Sequence, residues 1–134
     1  MKKLILTTII VFITSFLFAQ DELNQVRLRI DDSLEEITKS VPAAIEKHSK
    51  ENGMYLLHDA EHVWVFYYIE NNICNVQMYV YNATNTAMVL KSFSDPNEFV
   101  RINNMEYIRV EDGRILTFKL EIEDKLLTLI VTKE

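Results

Sequence analysis

The chain has 134 residues, with 20 acidic side chains against 14 Lys and Arg and a formal net charge of −6. A polyanion such as nucleic acid is repelled at long range, and no Lys/Arg stripe reverses that locally. Cys74 is the single cysteine, which excludes an intramolecular disulfide, and only two glycines exist, which excludes Gly-rich loops that cradle phosphate.

At the amino terminus, Met1-Lys2-Lys3 is followed by an apolar run from Leu4 to Phe18 and then by Ala19-Gln20-Asp21-Glu22. This is the three-part layout of a secretory signal peptide. A helix over that run would reach about 22 Å, short of the roughly 30 Å hydrocarbon core that a permanent span must cross. Residues 1–19 are therefore expected to be removed, leaving a single exported domain over 20–134, periplasmic or extracellular, with no stable membrane span. Losing Lys2 and Lys3 and no acid takes the net charge from −6 to −8.

From Asp21 to Lys50, Leu23, Val26, Ile30, Leu34, Ile37, Val41 and Ile45 recur every three or four residues, the stripe of an amphipathic α-helix. Asp21 and Glu22 suit its positive end, Lys47, His48 and Lys50 its negative end, and Asn52-Gly53 a left-handed stop. Pro42 removes a backbone donor, so a kink or break is expected near Ser40.

Beyond Gly53 the period changes to two. Residues 54–58, 62–70, 73–81, 87–93, 105–111, 114–122 and 125–132 read as strands, divided by Asn71-Asn72, Asp112-Gly113 and Glu123-Asp124. Ser94-Asp95-Pro96 followed by Glu98 predicts a short helix over 96–103. A two-residue reversal at Asn71-Asn72 places Ile69 opposite Cys74, Tyr67 opposite Val76, Val65 opposite Met78 and Val63 opposite Val80, all apolar or aromatic. A reversal at Glu123-Asp124 similarly pairs Leu120 with Leu127, Phe118 with Leu129 and Leu116 with Val131. At Asp112-Gly113 it pairs Glu111 with Arg114 and Glu106 with Lys119. The expected fold is thus α+β: an N-terminal amphipathic helix packed on an antiparallel β-meander of about five to seven strands, with a short helix near 96–103.

In that register the other face of the central hairpin carries His62, Trp64, Phe66 and Tyr68 beside Asn75, Gln77, Tyr79 and Tyr81. Such a row is unusual for a solvent face, which is normally charged and polar. It is the candidate binding surface, for a flat amphipathic ligand or a protein partner, or alternatively the interface of a structural homodimer.

Signals for catalysis are weaker. His58 and His62 flank Asp59 and Glu61, the one cluster with metal-ligand residue types, and a metal-dependent hydrolase there is the lesser alternative. Cys74 falls in the apolar row, where a thiol acts as a small hydrophobe. The serines lack a Gly-flanked elbow, and paired acids such as Asp31-Asp32 and Glu35-Glu36 suit a solvated helix surface. The reading is a binding or interaction module that is not an enzyme, with no catalytic residues, metal or cofactor.

Overall fold

The period-two alternation that begins at Gly53 becomes an antiparallel sheet in the computed structural model, which describes residues 27–41, 45–50, 53–60 and 62–134. Eight strands make it up: β1 (Ile45–Lys50), β2 (Gly53–Ala60), β3 (Val63–Glu70), β4 (Ile73–Asn82), β5 (Val100–Asn103), β6 (Glu106–Glu111), β7 (Arg114–Glu123) and β8 (Leu126–Lys133). Their spatial order is β1-β2-β3-β4-β8-β7-β6-β5, so two antiparallel meanders meet where β8 lies beside β4. Six of the expected strands are present with ends shifted by no more than two residues.

Two short helices complete the described fold: α1 (Leu34–Ser40) and α2 (Thr86–Lys91), the latter entered through a 3-10 turn at Ala83–Asn85. This overturns the expected N-terminal helix packed on a meander. Asp31 adopts a left-handed φ of 74° and cannot lie within a helix. Ser33 then starts α1 with a reciprocal capping box, its hydroxyl accepting from the Glu36 amide while the Glu36 carboxylate accepts from the Ser33 amide. The helix closes at Val41, and Ile45 opens an edge strand. Lys47, His48 and Lys50 are therefore strand residues and not a helix terminus. Leu23, Val26 and Pro42 lie outside the described residues, as does the expected signal peptide. Helical spacing was satisfied because Ile30, Leu34 and Ile37 do reach the core, but only the last two do so from a helix.

Two local assignments also reverse. The segment 87–93, expected as a strand, is mostly α2: the Asn82 side chain accepts from the Thr84 amide and the Thr86 hydroxyl donates to the Ala83 carbonyl, closing a turn that nucleates the helix. Val89 and Phe93, four apart, are then buried together. The expected helix over 96–103 is a single turn followed by β5. Asp95 does cap it, accepting from the Asn97 amide at 2.9 Å, but Phe99 drops into the core and the chain extends to pair with β6.

Turn chemistry sets three of the hairpins. Asn71 and Asn72, Asp112 and Gly113, and Asp124 and Lys125 all have positive φ, as two-residue reversals of the primed type require. Glu111 pairs with Arg114 and Glu106 with Lys119, as expected. The last hairpin turns one residue later than expected, pairing Leu120 with Leu129 and Phe118 with Val131. A slip of two leaves every side chain on its expected face.

The first hairpin differs more. Ile69 faces Cys74 as expected, but a bulge between Tyr68 and Ile69 inserts Asn75, so Tyr68 faces Val76, Tyr67 faces Gln77 and Val65 faces Tyr79. One extra residue exchanges the two faces of β4 beyond the bulge. The backbone of Cys74 meanwhile bonds to the segment before α1, donating to the Asp32 carbonyl and accepting from the Asp31 amide.

Cross-strand partners share a face, so the inner face can be followed from strand to strand. Leu56, Tyr67, Gln77, Val131, Phe118 and Tyr107 form one row across β2, β3, β4, β8, β7 and β6, and all are buried. Ile30, Ile37, Val89, Phe93 and Phe99 belong to the same core and come from outside the strands. Phe93 stacks on Tyr107 at 4.6 Å and meets Phe118 edge-on at 5.6 Å. Among the described residues, no helix is long and apolar enough to cross a membrane.

Candidate interaction face

The opposite, outer face starts from residues that alternate with that core. Three rows cross it. The first runs His48, Tyr55, Tyr68, Val76, Thr132, Thr117; the second Glu46, Leu57, Phe66, Met78, Ile130, Lys119; the third Asp59, Trp64, Val80, Thr128, Glu121. Between β2 and β4 every member except Asp59 is apolar or aromatic. The flanking strands β1, β8 and β7 carry Glu46, Lys119, Glu121 and the threonines Thr117, Thr128 and Thr132.

The rings are mutually packed, and Tyr55, Phe66 and Tyr68 are half-buried. His48 stacks on Tyr55 at 4.7 Å, and Tyr55 lies 5.9 Å from both Phe66 and Tyr68. Trp64 is 51% exposed, which for a tryptophan leaves a large apolar area in water. The described segments outside the strands supply their core side chains to the inner face. The centre of the outer face consequently has the composition of a buried layer, with Trp64 standing out into water and the apolar residues around it half-buried.

Of the eight residues that the sequence assigned to one surface, the structure brings three together there: Trp64, Phe66 and Tyr68. Gln77 and Tyr79 are turned inward by the Asn75 bulge and buried, and Tyr81 is half-buried on the same inner side. Asn75 is exposed in the bulge itself, donating to Glu70. His62 is exposed in the turn before β3. Tyr55, Leu57, Val76, Met78, Val80 and Ile130 join the face instead. Val76, Met78 and Val80 reach it through the bulge, and Tyr55, Leu57 and Ile130 through the pairing of β2 with β3 and of β8 with β4.

The inward residues do structural work. Gln77, fully buried, accepts from the Arg29 amide at 2.6 Å and donates to the Arg27 carbonyl and the Tyr79 hydroxyl. Burial pushes the Tyr67 and Tyr81 hydroxyls up to about 12 and raises Tyr79 well above its ordinary value. Burial likewise pushes the Cys74 thiol up to about 12, so little thiolate forms at neutral pH.

His58 points into the inner face and is buried, and desolvation lowers its pKa, whereas His62 is exposed. The two imidazoles sit in different environments. Among the described residues, no group of three or more His, Cys, Asp or Glu side chains is placed to hold a metal ion. An open depression of about 360 Å³ lies near Asp95, Asn97, Glu98, Arg109, Val110 and Glu111. Its one cation is already engaged: Arg109 donates to Glu98 at 3.1 Å and Glu111 at 2.9 Å, over the rings of Phe99 and Phe118.

No family model matches the chain, and neither a curated protein nor a solved structure matches it. Functional inference therefore rests on the geometry of the outer face.

Proposed function

We propose that this protein is an exported, non-catalytic interaction module that works through the outer face of its sheet. The observation that carries the reading is the half-exposed Trp64 at the edge of a contiguous apolar layer formed with Phe66, Tyr68, Tyr55 and Met78. Water in contact with such a layer costs on the order of 25 cal/mol per Å², so docking an apolar partner there is favourable. A small molecule is a poorer fit, because small-ligand sites are concave and enclose their ligand, whereas this face is an open sheet surface. The buried Cys74 thiol and buried, neutral-favouring His58 support a structural assignment for the groups that could otherwise act as nucleophile and base.

Trp64 is the only tryptophan and reports directly on the layer. Its emission and iodide quenching, followed on the purified protein by dilution into the nanomolar range, test the reading. The expected result is red-shifted, quenchable emission once any partner has dissociated. Blue, unquenched emission at every concentration from a monomer would place the ring beneath its own chain and overturn the proposal.

A further inference from the structure

Resting on that reading, we infer that the occupant of the outer face is a second copy of this chain, packed face to face about a two-fold axis that runs along the strands between β3 and β4. Size is the first argument. About this axis β1, β2 and β3 lie over the partner copy's β7, β8 and β4, and at about 16 Å² of sheet per strand residue the overlapped face is on the order of 700 Å². That is the scale of a standard interface, roughly 800 Å² per partner, with an apolar centre and polar rim as such interfaces have.

Self-complementarity is the second. Rotation about this axis reverses each transverse row against itself. In the central row, Glu46 is brought toward the partner copy's Lys119, Leu57 toward its Ile130 and Phe66 toward its Met78. Opposite charges meet at both flanks, and apolar groups meet between them. The neighbouring rows set Trp64 against Val80 and Tyr68 against Val76, again without like charges opposed. Glu46 and Lys119 are 74% and 59% exposed, and each makes only a long contact within its own strand, to His48 at 3.7 Å and to Glu121 at 3.8 Å, which a closer pair across a rim would replace.

Twist is the third argument. Aligned sheets stack with their strands about 30° apart because each carries the same right-handed twist, and a second copy has the same twist by identity. The result is a sandwich in which each protomer keeps its own inner cover.

Sedimentation equilibrium of the purified protein, read together with Trp64 emission, tests this. A dimer whose Trp64 emission turns blue as it forms is expected. Met78→Lys should weaken association on the order of a hundredfold, by placing charge in the apolar centre. Trp64→Glu is the second variant should Met78→Lys fold poorly. Glu46→Lys should weaken the dimer about three- to tenfold, and adding Lys119→Glu should restore it. A monomer with red, quenchable Trp64 at all concentrations would overturn the second copy while leaving the interaction module standing. A dimer indifferent to Met78→Lys and Trp64→Glu would overturn this interface. A monomer with blue, unquenched Trp64 would overturn both readings.

Discussion

The carboxamide oxygen of Gln77 accepts from the backbone amide of Arg29 at 2.6 Å, across 48 residues of sequence. This bond, with those from Gln77 to the Arg27 carbonyl and Tyr79 hydroxyl, ties the segment before α1 onto the inner face of β4. A polar side chain in the middle of the core thus fastens the core's cover.

Gln77→Leu keeps the volume and removes all three bonds. Leaving the buried backbone partners unsatisfied costs about 1–3 kcal/mol each, reduced where water can reach Arg27. A loss of roughly 2–4 kcal/mol is expected, measured as a lower urea midpoint at unchanged slope. An unchanged midpoint would show that the amide does not hold the cover.

Adjacent residues on β3 should respond oppositely. Val65 is fully buried on the inner face, and Val65→Asp introduces an unpaired charge there, costing several kcal/mol and unfolding the domain. Trp64→Glu on the outer face should leave the far-UV circular dichroism and cooperative melt intact.

Asp31 couples folding to pH in the acid range. The hydrogen bond from Lys133, with further help from Arg114, holds its carboxyl below the ordinary value of 3.8. A depressed carboxylate contributes stability that is present above the unfolded pKa and lost as pH falls through the lower folded pKa. Asp31→Asn should reduce stability at pH 7 by no more than about 1 kcal/mol, since the pair is part-exposed, and the two proteins should converge below about pH 4. Denaturant titrations across that range check it.

His58 acts in a different window. Desolvation lowers its folded pKa from 6.5, so the unfolded chain takes up its proton first. Stability is therefore full above about pH 6.5 and falls as pH drops through the folded value. His58→Gln should flatten the melting temperature against pH between 7.5 and 5 relative to the unsubstituted protein.

Gly53→Ala should destabilise, because Gly53 has φ of 150° and a Cβ there would stand 3.1 Å from the Ile69 carbonyl oxygen. A cost above about 1 kcal/mol is expected by thermal melting, the reverse of the gain seen where a glycine sits in ordinary backbone geometry.

The sequence by itself determined the local chemistry of this protein. Period-two alternation and paired turn residues placed six strands, and the parity of Val65, Tyr67 and Ile69 identified their buried side, because alternation along a strand is a property of the chain alone. Tertiary structure decided the rest. A helical spacing from Leu23 to Ile45 was broken by the left-handed Asp31, whose conformation is maintained by backbone bonds to Cys74 and ion pairs to Lys133 and Arg114. The short β5 and the edge strand β1 exist through pairing with β6 and β2. The Asn75 bulge moved Gln77 and Tyr79 inward and Met78 and Val80 outward, remaking the candidate face. A bulge changes parity by one residue at a place set by neighbouring strands and cover, so no pattern confined to β4 could have located it.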